Sequence, residues 1–239
     1  MRKILFMILA LPLIGIAQNK NLISATRYFP KTDKVVQFEK TLAAHAQKFH
    51  KGDQHWRVWT VETGPDAGAY MVVEGPTNWD GVDKRGDLGE VHMKDWQTTV
   101  QPLLNDKYET MYLMFRPELS TVAQNDYAEK IYINHLFVKP GYRGEIMSNL
   151  ENMKKLHEAD GASVAVYDAS SSGEPQFVVV TRYKKGLKER DVRMTEDFST
   201  RFTKANGNGS FEKWLTNYKD GVVKQWSEIL YLKPELGSK

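Results

Sequence analysis

The chain has 239 residues, with 33 basic and 30 acidic side chains and no cysteine. The lack of cysteine excludes disulfide bonds, cysteine nucleophiles and thiolate metal sites. The nearly balanced charge, without a basic stripe, argues against a dedicated nucleic-acid-binding protein.

The N-terminal segment, residues 1–17, has the layout of a secretory signal peptide. Arg2 and Lys3 precede an apolar run over residues 4–16, and Gly15-Ile16-Ala17 supplies a small-x-small cleavage site. An uncleaved anchor would need about 20 apolar residues, which is more than this run provides. We therefore predict cleavage after Ala17, a secreted or periplasmic location, and a mature protein without a membrane segment. Cleavage would lower the formal charge from +3 to +1, since both basic residues and no acidic residue are removed.

Residues 18–120 predict the order β-α-β-β-α-β. Short apolar runs between turn residues predict four strands, and apolar residues at three-and-four spacing predict two helices. The strands are expected over 22–29, 55–62, 69–74 and 108–115, and the helices over 34–50 and 90–104. Asp33 is the predicted N-cap of the first helix. The Gly- and Asp-rich segment 75–89 is predicted to be irregular.

Residues 121–239 repeat this order. Strands are expected over 131–138, 162–167, 176–183 and 227–232, and helices over 145–157, 195–202 and 211–223. The motif Leu113-Met-Phe-Arg-Pro-Glu-Leu119 recurs as Leu230-Tyr-Leu-Lys-Pro-Glu-Leu236, at an offset of 117, whereas earlier matches are 107 apart. The difference predicts an insertion at 204–210. We therefore predict an α+β fold of two tandem ferredoxin-like units, 18–120 and 121–239, which pack sheet to sheet as one barrel within the chain.

This organisation resembles the dimeric α/β-barrel superfamily, which includes the antibiotic-biosynthesis-type monooxygenases and the NIPSNAP group. The resemblance rests on the strand order, on Val138-Lys-Pro-Gly141 leading into a helix, and on the aromatic-rich final strand. It covers nearly the whole mature chain and implies that the same chain supplies both halves of the barrel. The sequence matches no functional-residue motif of the superfamily, so no catalytic residue is carried over.

Two histidines occupy matched positions in the halves. His50 and His157 are 107 residues apart, and each is expected at the end of the first helix of its unit. A histidine there interacts favourably with exposed carbonyl groups and the helix dipole. We interpret both as structural, and we predict neither a metal site nor a cofactor.

A third histidine, His135, interrupts the apolar face of the predicted strand 131–138. A half-buried histidine can act as a base or a ligand, although a satisfied core histidine is the commoner case. Its neighbour Asn134 could orient a carbonyl group or an oxygen species. His135 and Asn134 are thus the candidate catalytic residues.

The candidate ligand-binding residues come from both halves. Trp and Arg side chains together could stack on and neutralise an aromatic acid, although a half-buried strand also carries such residues. By the offset of 107, the counterparts of Trp56, Arg57 and Trp59 are Ser163, Val164 and Val166. The smaller Ser163 and Ala165 would leave space for a cavity in the second half. The candidates are Trp56, Arg57, Trp59, Tyr132, Ser163, Ala165 and Tyr167.

We therefore expect an exported protein that binds a small, mostly apolar or aromatic molecule in the barrel of one unit. A cofactor-independent oxygenase or isomerase, and a non-catalytic scaffold with a packed interior, are the two alternatives. Assembly into a homo-oligomer is left open.

Overall fold

The computed structural model describes residues 19–86, 88–169, 171–192 and 195–239. The predicted signal peptide lies outside the described residues.

Eight antiparallel strands close into a barrel. They are β1 (Leu22–Pro30), β2 (Trp56–Val61), β3 (Tyr70–Thr77), β4 (Leu104–Phe115), β5 (Lys130–Val138), β6 (Val164–Asp168), β7 (Gln176–Tyr183) and β8 (Val222–Leu232). Their order around the barrel is β1-β3-β2-β8-β5-β7-β6-β4. The first half thus has the order β4-β1-β3-β2 and the second half the matching order β8-β5-β7-β6. The predicted α+β class is confirmed, and the barrel is closed.

The two halves meet at the edges of their sheets. Strand β2 pairs with β8 through Trp59 and Leu232, and β4 pairs with β6 through Phe115 and Tyr167. Edge pairing satisfies backbone groups that an open sheet would expose. Because both seams are hydrogen-bonded edges, the sheets enclose one shared interior instead of stacking as separate layers.

Seven helices lie in the described part of the chain. They are α1 (Val35–Phe49), α2 (Trp79–Arg85), α3 (Glu90–Asp95), α4 (Arg143–Ala159), α5 (Glu189–Val192), α6 (Phe198–Asn206) and α7 (Ser210–Gly221). None of the helices in these ranges is long and apolar enough to cross a bilayer.

Three apolar clusters follow from this arrangement. One fills the barrel interior, where side chains from alternate strand positions meet. A second lies between the outer face of the first-half sheet and α1, and it includes Phe38, Leu42 and Val58. The third lies between the second-half sheet and α4, and it includes Ile146 and Phe177. The molecule therefore has one barrel core and two sheet–helix layers.

Several local predictions need correction. Asp33 lies in a 3-10 turn, Thr32–Lys34, and the N-cap of α1 is Lys34, so Asp33 does not cap the helix. The segment predicted as irregular extends β3 to Thr77 and then forms α2, whose N-cap Asn78 accepts a hydrogen bond from the Gly81 backbone at 2.8 Å.

Helix α3 is also shorter than predicted. It passes into a π-helical turn, Trp96–Val100, and a 3-10 turn, Gln101–Leu103. The latter contains Pro102, which lacks the amide hydrogen that a continuing helix needs. In the second half, the predicted insertion at 204–210 spans the end of α6, a short connection and the first residue of α7.

Candidate functional sites

A buried ion pair lies inside the barrel between β1 and β8. Arg27 contacts both carboxylate oxygens of Glu228, with Nη1 2.8 Å from Oε2. His135 Nε2 lies 3.1 Å from Glu228 Oε1, and its Nδ1 lies 2.9 Å from Gln176 Oε1. All four side chains are buried. Both ring nitrogens of His135 are thus engaged in the network.

Two opposing effects act on the pKa of Glu228. Burial acts to raise it, but hydrogen bonds from His135 and Arg27, together with the Arg27 charge, hold the pKa below its ordinary value. The carboxylate therefore stays charged at neutral pH. A charge buried this deeply is tolerated because it is paired and hydrogen-bonded.

The space left within the barrel is small. The interior cavity has a volume of about 50 Å³ and a mostly apolar wall, to which Arg27, His135 and Arg182 add basic side chains. A buried cavity needs only about 10–15 Å³ of such free volume to hold one water, so this cavity has room for a few waters. An organic substrate does not fit beside His135 without rearrangement of the interior.

A larger cavity lies in the sheet–helix layer of the second half. Its volume is about 310 Å³, and it is bounded by the outer face of the sheet, by α4 and by α7. Leu136, Val179 and Leu150 belong to its apolar wall, and Trp214 and Tyr218 supply aromatic surface. The two aromatic rings are stacked, with centroids 5.1 Å apart.

A few polar side chains also reach this second-half cavity. Asn134 accepts a hydrogen bond from Gln225 at 2.9 Å on the sheet side. On the helix side, buried Asn149 donates to the Trp214 carbonyl at 2.8 Å. His157 lines the same cavity. A mostly apolar wall with a small number of fixed polar groups is typical of ligand sites.

Three histidines converge in the sheet–helix layer of the first half. His45 comes from α1, His50 is the C-cap of that helix, and His92 comes from α3. The Nε2 atoms of His45 and His92 are 3.2 Å apart, and each lies 3.4 Å from Nε2 of His50. The exposed fractions of His45, His50 and His92 are 1%, 0% and 8%. We call these residues the histidine cluster.

Carboxylates hold the opposite side of two of these rings. His45 Nδ1 lies 2.9 Å from Asp95 Oδ2, and His50 Nδ1 lies 3.3 Å from Glu74 Oε2. Trp56 donates to Glu74 at 2.7 Å, and its ring stacks on His50 with centroids 3.5 Å apart. The two carboxylates and the indole therefore fix the orientation of the imidazole rings.

Burial is the main influence on the pKa values of His45 and His50. It lowers the pKa of His45 to about 4, although the hydrogen bond to Asp95 acts in the other direction. The pKa of His50 is also lowered by burial, against the effect of Glu74. For Glu74, burial acts to raise the pKa, but hydrogen bonds from His50 and Arg85 keep it at about 2. Neutral imidazoles thus face charged carboxylates at neutral pH.

The structure separates the two candidate catalytic residues. His135 faces the barrel interior, whereas Asn134, the preceding residue on β5, lines the second-half cavity on the outer face. Adjacent residues of a strand point to opposite sides of the sheet. The two side chains therefore cannot act on the same substrate.

The candidate ligand-binding residues of the second half are also divided between the two faces. Ala165 and Tyr167 belong to the barrel core. Tyr167 lines the small interior cavity, is buried, and has its hydroxyl 3.1 Å from Arg182; burial raises its pKa to about 12. Tyr132 packs beneath the Arg190 guanidinium at 4.9 Å. Ser163 precedes β6 and lines neither the interior nor the second-half cavity.

Trp56, Arg57 and Trp59 do not form one site. Trp56 faces the histidine cluster in the sheet–helix layer, and Trp59 belongs to the barrel core. Arg57 donates to the Gly75 carbonyl at 3.1 Å and lies over the Tyr127 ring.

The sequence offset also assigned the wrong counterparts to this strand. Trp56 is paired with Glu74, and Val164 is paired with Thr181. Glu74 and Thr181 are 107 apart, whereas Trp56 and Val164 are 108 apart, so the counterpart of Trp56 is Val164 and not Ser163.

Sequence reasoning missed His45 and His92. The available signal was the pair His45 and His50 near the end of one predicted helix. Their separation of five does not place two side chains on one face of a regular helix, but His50 has left the helix, with φ −101° and ψ 95°. That extended C-cap brings its ring back toward His45. His92 joins only through the tertiary fold.

Comparisons with known proteins bear on the fold. No protein-family model matches the chain, and no curated protein matches it. Several solved structures are similar in fold. A candidate monooxygenase from Fusobacterium nucleatum superposes with a TM-score of 0.58 at 14% sequence identity, and the match covers 88% of this chain and 91% of that one. A candidate monooxygenase from Lactobacillus acidophilus gives 0.54 at 10% identity, covering 91% and 95%.

A chlorite dismutase from Candidatus Nitrospira defluvii gives a TM-score of 0.55 at 6% identity, covering 90% of this chain and 92% of that one. At such identities the likeness extends to the fold alone. The chain is thus similar in fold to monooxygenase-type and chlorite-dismutase-type barrel proteins over nearly its full described length.

Proposed function

We propose that the protein binds a small, mostly apolar molecule in the second-half cavity. The observation that carries this proposal is the cavity itself, with a volume of about 310 Å³ between the sheet and helices α4 and α7. Ligand pockets typically begin at roughly 300 Å³ and combine apolar walls with few polar groups. The proposed site therefore lies in the sheet–helix layer outside the barrel, and not in the barrel interior that the sequence suggested.

The walls define the chemistry of the ligand. Stacked Trp214 and Tyr218 offer a flat aromatic surface, which favours a planar or ring-containing molecule. The Asn134–Gln225 amide pair can exchange its mutual hydrogen bond for one to a carbonyl or hydroxyl group of the ligand. His157 adds an imidazole to the same wall, and its ring nitrogens are further polar atoms near the ligand. The ligand is therefore a ring system with one or two polar groups.

The oxygenase or isomerase alternative has less support. Both His135 nitrogens are engaged by Gln176 and Glu228, and the adjoining interior cavity holds only about 50 Å³. The scaffold alternative fits the nearly filled barrel interior but leaves the second-half cavity without a role. Ligand binding outside the barrel is compatible with the nearly filled interior and gives the second-half cavity a role.

Two further parts of the proposal concern origin and location. The equal strand order of the halves and the repeated sequence motifs support a tandem duplication of a ferredoxin-like unit. The basic, apolar and small-residue pattern of residues 1–17 supports export, with the ligand met outside the cytoplasm. N-terminal sequencing of protein recovered from its host tests the second part, since an intact Met1 would contradict cleavage.

Blocking the second-half cavity tests the binding proposal. Val179→Phe places a ring at the cavity wall, and Val223→Phe makes the same change at an exposed position. Protein purified from its own host would be examined by native mass spectrometry. Thermal shifts would be measured with a panel of small planar aromatic compounds.

We expect ligands to bind and stabilise the wild type and Val223→Phe but not Val179→Phe. A wild-type protein that carries no small molecule, and that no panel member stabilises, would contradict the proposal. So would equal binding by both variants, because the site would then lie elsewhere.

A further inference from the structure

We infer that His45, His50 and His92 form a binding site for a tetrahedral divalent metal ion, Zn²⁺ in particular. The site lies in the first half, between α1 and α3, on the side of the molecule that the ligand-binding proposal does not use. The inference is independent of that proposal.

The spacing of the three nitrogen atoms is the first argument. Zinc binds histidine nitrogen at about 2.0–2.1 Å in tetrahedral geometry, which places neighbouring ligand atoms about 3.3–3.4 Å apart. The three Nε2 separations in the histidine cluster are 3.2, 3.4 and 3.4 Å. The separations of the three atoms therefore match those of three ligands around one tetrahedral ion.

The positions of the protons are the second argument. His45 Nδ1 faces the Asp95 carboxylate and His50 Nδ1 faces the Glu74 carboxylate, and both carboxylates can only accept. The contact with Asp95 favours a proton on Nδ1 of His45, and such an arrangement leaves Nε2 of that ring as a metal ligand. Nε2 of His50 lies 3.4 Å from Nε2 of His45, with Nε2 of His92 beside both. The three Nε2 atoms are therefore placed together on the side of the rings away from the carboxylates.

The surroundings are the third argument. Metal-binding histidines usually donate their second nitrogen to a carboxylate or carbonyl group, which fixes the ring and raises its basicity. Asp95 and Glu74 supply such partners, and each is held in turn by a basic residue. Lys48 contacts Asp95 at 3.1 Å, and Arg85 contacts Glu74 at 2.5 Å.

The donor set selects the metal. Imidazole nitrogen suits zinc, copper, nickel and iron, whereas calcium and magnesium prefer oxygen. Nearly equal nitrogen separations fit a tetrahedral ion better than the square-planar arrangement that Cu²⁺ favours. Three protein ligands leave one tetrahedral position for water, an arrangement that zinc enzymes use for catalysis.

Metal analysis of untagged protein, expressed from the full-length gene, tests the inference. Zinc content would be measured after dialysis, and affinity by titration of the metal-free protein with Zn²⁺. Titration with Co²⁺ reports geometry through its visible spectrum. We expect about one zinc per chain, a tetrahedral cobalt spectrum and a higher melting temperature with metal.

The variants His45→Ala and His92→Ala should each lose at least about 100-fold in Zn²⁺ affinity. His55→Ala serves as the matched control, because His55 lies outside the histidine cluster and should keep wild-type affinity. Circular dichroism checks that each variant folds. Asp95→Asn keeps all three ligands and should weaken binding by about 10- to 100-fold, which tests the site even if a ligand variant does not fold.

Wild-type protein that retains no zinc and binds neither Zn²⁺ nor Co²⁺ would overturn the inference. Binding that the substitutions at His45 and His92 leave unchanged would overturn it as well, because the metal would then be held elsewhere. Neither result would affect ligand binding in the second-half cavity, since the two sites share no residue.

Discussion

The two halves use the same layer of the fold differently. His50 and His157 are 107 residues apart and both lie near the end of the first helix of their half. In the first half, His50 has left the helix and points into the histidine cluster, against Trp56. In the second half, α4 continues to Ala159, and His157 lines a cavity of about 310 Å³.

The neighbouring strands differ in side-chain size at one equivalent position. By strand pairing, Trp56 of β2 corresponds to Val164 of β6. The indole of Trp56 fills the first layer, stacks on His50 and binds Glu74. Valine at the equivalent position fills less of the second layer. The comparison shows how one sheet–helix layer can hold either a compact polar cluster or an open cavity without a change in strand order.

The barrel interior shows a related asymmetry. Strand pairing makes Arg27 of β1 equivalent to His135 of β5, because Arg27 pairs with Met71 and His135 pairs with Val178. These equivalent positions share one carboxylate, Glu228, which comes from the second half alone. The ion pair between Arg27 and Glu228 therefore joins the two halves inside the barrel.

The largest expected effect concerns this junction. Glu228→Gln keeps the shape of the side chain but leaves Arg27 without its main charge partner. Removing one member of a buried pair costs about 3–5 kcal/mol of unfolding free energy. The matched control Glu109→Gln, on the exposed part of β4, should cost less than about 0.5 kcal/mol. Urea denaturation measures both, and equal costs would show that the junction does not couple the halves.

The Glu228→Gln variant should also change how the stability of the protein depends on pH. The pKa of folded Glu228 lies below its ordinary value of 4.5. Its contribution to stability is therefore complete above pH 4.5 and is lost as the pH falls through the folded pKa. Wild-type protein should lose stability more steeply than Glu228→Gln below pH 4.5, and parallel curves would contradict this prediction.

Truncation of one leucine on the first helix of each half tests how well each layer is filled. Leu42 is completely buried in the first layer, whereas Leu150 lines the second-half cavity. Leu→Ala substitutions cost about 2–5 kcal/mol, depending on how tightly the leucine was packed. We expect about 4 kcal/mol for Leu42→Ala and about 2–3 kcal/mol for Leu150→Ala, because atoms beside a void already lack partners. Equal losses of unfolding free energy, measured by urea denaturation, would show that the two layers are packed equally tightly.

The sequence was sufficient to predict the strand order and the approximate bounds of most elements. Apolar alternation and turn residues are local signals, and the second half repeats them. For β7 the predicted and observed bounds agree, Gln176–Tyr183. Helix α2 was missed because Gly81 and Gly86 suggested an irregular segment, although Asn78 supplies a local cap.

The sites were harder to predict because they depend on which side of the sheet each side chain points to, and on tertiary contacts. A one-residue change in offset reverses the face of a strand, and this is why Ser163 was taken as the counterpart of Trp56. The pattern did place His135 on the inner face of β5. The histidine cluster could not be read from spacing alone, since it requires a helix to end at Phe49 and α3 to fold back onto α1.

A direct test of the contrast between the histidines is to remove each of them. His50→Ala should weaken Zn²⁺ binding by at least about 100-fold, since one of three ligands is lost. His157→Ala should leave Zn²⁺ affinity unchanged and alter only ligand binding in the second-half cavity. Calorimetric titration with Zn²⁺ measures both variants. If His157→Ala weakened zinc binding as much as His50→Ala, the two positions would not have the separate roles described above.

The smallest expected effect sharpens the role of Trp56. Trp56→Phe keeps an aromatic ring against His50 but removes the indole N–H that donates to Glu74 at 2.7 Å. A hydrogen bond to a charged group contributes about 1.5–3 kcal/mol, and Arg85 remains bound to Glu74, so we expect a loss of about 1.5 kcal/mol in unfolding free energy.

Zinc affinity should fall by less than about 10-fold, because Glu74 still faces His50 and all three ligands are present. Val164→Ala, at the equivalent position of the second half, should leave zinc affinity unchanged. A 100-fold loss of affinity in Trp56→Phe would mean that the indole, and not the carboxylate, sets the position of His50.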